Sequence, residues 1–159
     1  MPRIILNTLI EASPEICFDL SRSVDLHLLS TAKTREKVLY GKTSGLMELN
    51  EEVTWRALHL GVWQNLTSRI TEFEYPMRFV SEMQKGAFQK LHHQHIFQKE
   101  ETATLMTDVF DFEAPLGLAG RLFCRLFLTA YMQGFLEERN RLIKQEAENP
   151  TCIFLKQQL

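Results

Sequence analysis

A run of alternating apolar and polar residues between Tyr40 and Glu113 constrains the fold of this chain more than any other feature. Alternation with a period of two is typical of strands that bury one face, and the breaks within the run are rich in Gly, Pro and Asn, as in tight turns. The pattern therefore predicts a series of antiparallel hairpins. We predict six strands in this region, with approximate cores at residues 39–45, 53–60, 64–73, 78–84, 88–97 and 102–112.

The segment before these hairpins predicts one more strand followed by two short helices. Residues 3–10 are rich in Ile and Leu and indicate a strand. Beyond it, Ser13 is suited to cap a helix and Pro14 to occupy its first turn, so a helix is expected from there to about Leu20. A second apolar patch at residues 24–29 predicts another short helix before a polar stretch.

The last part of the sequence predicts a long helix that begins at Pro115. Two apolar stripes recur there at helical spacing. The charged segment that follows, at residues 137–148, is expected to be solvated and to end before Pro150. The two stripes consist of Leu118, Leu122, Leu126 and Ala130 and of Ala119, Phe123, Phe127 and Tyr131.

The order of these elements predicts an α+β fold in which a strongly curved, seven-stranded antiparallel sheet grips the final helix. With 159 residues, the chain is expected to form a single domain over residues 1–148, followed by a C-terminal tail at 149–159. A curved sheet and one helix cannot fill all the space between them when small or polar side chains face inward. An internal cavity is therefore expected.

Composition and charge exclude several classes of protein. Hydrophobic residues make up 45% of the chain, which is too many for an intrinsically disordered protein. The formal net charge is -2, and basic residues are scattered among acidic ones, so no nucleic-acid partner is expected. Cys17, Cys124 and Cys152 are widely spaced and form no metal-binding motif, and we expect them to be free thiols in a reducing compartment.

The sequence shows neither a secretory signal at its N-terminus nor a membrane-spanning segment. The longest apolar stretch, at residues 116–136, is interrupted by Arg121, Arg125 and Gln133, which are costly in hydrocarbon. A cytoplasmic protein is therefore expected.

Several local motifs, together with this order of elements, resemble the SRPBCC superfamily of START-like or helix-grip proteins, in particular a small branch of uncharacterised bacterial-type proteins. The residues that carry the resemblance lie at 43–83, 86–97 and 104–120, within a match over roughly 3–145. The resemblance implies a hydrophobic cavity, since members of the superfamily bind lipids, sterols, polyketides or plant hormones, and a minority catalyse cyclisation or hydrolysis. It implies no catalytic residue, so the site must be argued from this sequence.

Strand alternation places His59 on the same face as Val53 and Trp55, where an apolar environment would lower the pKa of the imidazole. A buried histidine of this kind is either part of a ligand pocket or a core residue that bonds the backbone.

The sequence His92-His93-Gln94-His95 places His93 and His95 on one face of a strand and His92 on the other. If the following hairpin turns about Glu100 and Glu101, His93 lies opposite Asp108 and His95 opposite Met106. Such a pair is suited to orient an imidazole as a general base, to bind a polar ligand head, or to fix strand register. A two-histidine, one-carboxylate metal site is a further alternative, but no other ligand is evident and no metal is expected.

We predict a ligand-binding module for a small hydrophobic molecule, lipid-like or polyketide-like, that uses no cofactor. Two alternatives stay open. One is a cyclase-like or hydrolase-like enzyme that uses His93 and Asp108 on a hydrophobic carbonyl substrate. The other is an interaction module whose helix or tail, at residues 151–155, packs on another chain, as it would in a homo-oligomer. Arg69 is either a ligand contact or solvated. The candidate pocket residues are Trp55, His59, Phe79, His93, His95, Met106, Asp108 and Tyr131.

Overall fold

The computed structural model describes residues 2–115, 117–123, 127–149 and 151. Its secondary-structure elements follow the predicted order, except that two helices are described after the last strand, where one long helix beginning at Pro115 was expected. In sequence they are β1 (Arg3–Ile10), α1 (Pro14–Ser21), α2 (Val24–Ser30), β2 (Lys37–Gly41), β3 (Glu52–His59), β4 (Val62–Glu74), β5 (Arg78–Lys85), β6 (Lys90–Lys99), β7 (Thr104–Glu113), α3 (Gly117–Phe123) and α4 (Thr129–Ala147).

Serine caps start both short helices, and the first of them, Ser13, is the cap that the sequence predicts. Ser13 Oγ accepts a hydrogen bond from the backbone N–H of Ile16 at 3.4 Å, with Pro14 in the first turn of α1. Ser23 Oγ accepts one from the N–H of Leu26 at 3.2 Å at the start of α2. These caps satisfy backbone donors that a helix leaves unpaired at its first turn.

The seven strands form one antiparallel sheet in the order β1-β7-β6-β5-β4-β3-β2. Register shifts between β4 and β5, at Thr67/Ser68 and Ile70/Glu72, bend these strands and contribute to the curvature of the sheet. Helix α4 packs against α1, α2 and β1, and it lies across the concave face. The predicted α+β helix-grip architecture is confirmed.

The predicted position of the second strand is wrong. Its core was expected at residues 39–45, whereas β2 spans Lys37–Gly41. Gly41 has a φ of +87°, and a Cβ at that position would lie 2.2 Å from the backbone oxygen of Glu52. Only glycine fits so close to β3, and the chain leaves the sheet at this residue.

The predicted burial of the C-terminal helical region is also wrong in part. Leu122 and Phe123 of α3, which belong to the predicted apolar stripes, are 59% and 43% exposed. The charged segment expected to be solvated instead buries one face of α4, and the members of that face are Leu136, Arg139, Asn140 and Ile143. The stripe residue Leu126 and the apolar tail at 152–155 lie outside the described residues.

Aromatic packing fills one end of the space between the sheet and the helices. Phe18 of α1 is fully buried and packs edge-on against Phe73 and Phe79, with ring centroids 5.1 Å apart in both contacts. The other end of this space is not filled in the same way, and a cavity lies there. Among the described residues, no helix combines the length and the apolar character needed to cross a membrane.

Candidate ligand cavity

A cavity of about 200 Å³ lies between the concave face of the sheet and α4. This volume far exceeds the roughly 10–15 Å³ that one water molecule needs, and it is larger than a ~150 Å³ apolar cavity able to admit benzene. Most of the wall is apolar or aromatic, and its members include Trp55, Phe79, Phe88, Leu91, Phe110, Met132, Phe135 and Leu136.

Six of the eight candidate residues line this cavity, namely Trp55, His59, Phe79, His93, His95 and Tyr131. The other two, Met106 and Asp108, are fully buried behind the wall rather than on it. Both face inward on β7, but the side chains of neighbouring residues cover them. The expectation that Met106 and Asp108 lie on the cavity surface is therefore wrong.

The histidines of β6 face the sides of the sheet that the alternation in the sequence predicts. His93 and His95 are buried at 8% and 2% exposure, whereas His92 lies on the outer face, with its Nε2 3.9 Å from Glu82 Oε1. The predicted pairing register between β6 and β7 is wrong by two residues, since His95 lies opposite Asp108 and His93 opposite Phe110.

The loop between β6 and β7 explains this error in register. Four residues, 100–103, separate the strands, and the N–H of Glu100 donates to the oxygen of Ala103 at 2.9 Å. A two-residue turn had been expected there. Because the shift is an even number of residues, every side chain keeps its predicted face, and Asp108 still reaches His93.

Five buried residues form an inner polar cluster at the sheet side of the cavity: Asp108, His93, His95, Arg139 and Asn140. Asp108 Oδ1 lies 2.8 Å from His93 Nε2, with which it forms a hydrogen bond, and Asp108 Oδ2 accepts a bond from Asn140 Nδ2 at 2.6 Å. Arg139 donates through Nη2 to the backbone oxygen of Ser21 at 2.7 Å. The cluster thus ties β6 and β7 to α4, and α4 to α1.

Two further nitrogens lie near Asp108 without forming a hydrogen bond with it. His95 Nδ1 lies 2.8 Å from Asp108 Oδ1, but the ring is not oriented to form a hydrogen bond with it. Arg139 Nη1 lies 3.7 Å from the same oxygen. Neither nitrogen has a hydrogen-bond partner among the residues that the structure describes.

The protonation states in the cluster follow from burial and from these contacts. Burial favours the neutral form of both imidazoles, and it lowers the pKa of His93 and, together with the neighbouring His93, that of His95 to about 3. Burial alone would raise the pKa of Asp108, but the two histidines outweigh it and hold that pKa well below its ordinary value. An ionised aspartate therefore faces two neutral imidazoles.

One ligand atom from each of His93, His95 and Asp108 lies within 4.8 Å of the other two, which is the kind of grouping that can hold a metal ion. Two observations favour a hydrogen-bonded network instead. The 2.8 Å separation between His93 Nε2 and Asp108 Oδ1 is that of a hydrogen bond, and the guanidinium of Arg139 already places a positive charge beside the carboxylate.

A second polar contact lies elsewhere on the cavity wall. His59 Nδ1 lies 2.9 Å from the hydroxyl oxygen of Tyr131 and forms a hydrogen bond with it, so His59 pairs with a side chain of α4 rather than with the backbone. Burial lowers the pKa of His59 and raises that of Tyr131.

Sequence reasoning missed several polar residues of the wall, among them His27, Glu36 and Arg139. His27 Nε2 and Glu36 Oε2 are 3.3 Å apart, and the Glu36 side chain is only 6% exposed. The helical spacing of Arg139 from Leu136 and Ile143 indicates a buried position, but the charged residues around it in the sequence led to the expectation that it is solvated. Arg69, which was undecided, forms an ion pair with Glu52.

The fold is that of the START-like, helix-grip architecture, as the resemblance to SRPBCC proteins implies. No family model matches the sequence, and no curated protein gives a significant match. Solved structures therefore supply the comparison, and at their low sequence identity they show the fold alone.

Three solved structures illustrate the likeness. The protein TTHA0849 from Thermus thermophilus has a TM-score of 0.74 at 16% identity, over 91% of this chain and 95% of that one. A START superfamily protein from Mycobacterium smegmatis has a TM-score of 0.69 at 12% identity, over 92% and 97%. The major latex-like protein 151 from Panax ginseng has a TM-score of 0.68 at 15% identity, over 93% and 98%.

Proposed function

We propose that this protein binds a small hydrophobic molecule in the cavity between its sheet and α4, as a carrier or a sensor does. The observation that carries the proposal is the cavity itself, which has about 200 Å³ of space and a wall that is largely apolar and aromatic. Ligand sites in proteins typically combine such a wall with a few fixed polar groups. Here His93, Arg139 and the His59–Tyr131 pair provide those groups.

The chemistry of the wall favours a mainly apolar ligand. Phe79 lies stacked on His95, with ring centroids 4.2 Å apart, and Phe110 meets His93 edge-on at 5.0 Å. These aromatic faces offer contact area without requiring a polar partner. The START superfamily protein and the latex-like protein have the same fold, which is compatible with this proposal.

Native mass spectrometry of the purified protein, followed by organic extraction, tests the proposal. We expect an apolar compound bound at one molecule per chain, or saturable binding of the neutral fluorophore N-phenyl-1-naphthylamine. Ser81→Phe places an aromatic ring in the cavity wall and should abolish binding, whereas Glu82→Phe adds the same ring on the opposite face and should not. Equal binding by both variants, or no binding by the wild type, contradicts the proposal.

A second candidate function is catalysis on a hydrophobic carbonyl substrate, with His93 as a general base oriented by Asp108. The 2.8 Å hydrogen bond between these residues at the cavity wall favours it. Stoichiometric binding of a carbonyl compound, released unchanged after long incubation, counts against catalysis and leaves the binding proposal intact.

A further inference from the structure

The environment of Asp108 fixes which nitrogen of His93 carries the proton. Asp108 is fully buried, and its pKa lies well below the ordinary value, so its carboxylate is ionised and can only accept hydrogen bonds. The nitrogen of His93 that bonds it at 2.8 Å is Nε2, which must therefore be the N–H donor. In a neutral imidazole, the other nitrogen then carries a lone pair.

That second nitrogen, Nδ1, has no hydrogen-bond partner among the described residues, although His93 is 8% exposed and lines the cavity. The remaining contacts of the ring are aromatic, with His95 at 3.8 Å and Phe110 at 5.0 Å between centroids. An acceptor on the cavity wall can take a hydrogen bond from a donor group of a ligand.

The charges around the cavity disfavour an anionic ligand. Arg139 faces Asp108 at 3.7 Å, and Arg22, the other arginine of the wall, is paired with both Asp19 and Glu48. Glu36 adds a further carboxylate to the wall, and its pKa is lowered despite burial, chiefly through His27. A carboxylate ligand would therefore meet two arginines whose charges already face protein carboxylates, and Glu36 on the wall would repel it.

We propose that His93 accepts a hydrogen bond at Nδ1 from a hydroxyl group of the ligand, so that the protein selects uncharged apolar alcohols or phenols over ethers and carboxylates. Asp108 acts as a positioning residue in this arrangement, since it holds the imidazole in the tautomer that accepts. This inference rests on the proposed binding function, because it assigns the polar group of a ligand in the same cavity.

The test uses three probes of nearly equal shape: 2-naphthol, 2-methoxynaphthalene and 2-naphthoate. We expect calorimetric titration of the wild type to give an affinity for 2-naphthol about tenfold higher than for its methyl ether, since one buried hydrogen bond is gained. The affinity for 2-naphthoate should be lower than for either. Equal affinity for the naphthol and the ether, or tighter binding of the naphthoate, overturns the inference while the binding function stands.

Variants of neighbouring residues on β6 separate His93 from general effects on the strand. His93→Phe should remove the preference for 2-naphthol but retain the affinity for the ether, and His93→Gln, which keeps an acceptor, should restore part of the preference. His92→Phe, on the outer face of the same strand, is the matched control and should change neither. If His93→Phe does not fold, the affinities of the wild type for the three probes still test the inference. If no probe binds to the wild type, the proposed function itself fails.

Discussion

The two helices that follow the sheet differ in burial, and the difference runs against composition: apolar residues of α3 are exposed, whereas polar residues of α4 are buried. Leu122 and Phe123 of α3, and Phe127 beyond it, are apolar but between 43% and 63% exposed. Arg139 and Asn140 of α4 are polar but only 8% and 3% exposed. The difference shows that burial on a helix depends on what the facing strand offers. On β7, Asp108 offers a buried carboxylate to which Asn140 donates and Arg139 is attracted.

Removal of the Asp108 carboxylate should have the largest effect on stability. Asp108→Ala leaves the Arg139 guanidinium buried beside no counter-charge, and Asn140 and His93 lose their acceptor. We expect the free energy of unfolding to fall by about 3–5 kcal/mol, as when one partner of a buried charge pair is lost. Equilibrium denaturation in urea, with circular dichroism as the probe, measures this.

Asp111→Ala provides a matched control on the same strand. Asp111 is itself only 5% exposed, but it pairs on the outer face of the sheet with Arg3, whose side chain is 59% exposed, so its loss should cost about 1 kcal/mol, less than the loss of Asp108. Similar losses for the two variants would show that the burial of Asp108 does not decide the stability of α4.

Acid should lower the stability of the folded protein through the buried histidines beneath α4. The folded protein holds the pKa of His95 at about 3, against an ordinary value of 6.5, so the unfolded chain binds more protons between these values. Stability is therefore fully present above about pH 6.5 and falls as the pH falls toward 3, by up to about 1.4 kcal/mol per pH unit for this one group.

His95→Gln removes the contribution of His95, so the slope of unfolding free energy against pH, measured between about pH 4.5 and 6.5, should become less steep, while His93, whose pKa burial also lowers, keeps part of it. His92→Gln should leave the slope unchanged, because His92 lies on the outer face of β6. Asp108 contributes in the same direction, but only below its ordinary pKa of 3.8, which lies outside that window. A His95→Gln slope equal to that of the wild type would mean that His95 titrates normally in the folded protein.

The sequence predicts the fold better than it predicts the site, and the reason is physical. Alternation along β6 depends only on the strand period, so the inward direction of His93 and His95 follows from local sequence. Pairing of His95 with Asp108 depends on the length of the loop at 100–103, which composition does not specify. The burial of Arg139 depends on a residue 31 positions earlier in the chain, and no helical pattern reveals that partner.

Substitution of an exposed apolar residue should have the smallest effect on stability. Phe127→Ser replaces a side chain that is 63% exposed, so little apolar area returns to water on unfolding, and we expect a change within about 0.5 kcal/mol. Ile143→Ala, on the buried face of α4 at 1% exposure, should cost about 2–5 kcal/mol and serves as the contrasting variant. Urea denaturation of both variants measures the difference. A large loss for Phe127→Ser would mean that another surface covers Phe127 in solution, since exposure of this degree leaves the side chain too little buried area to account for it.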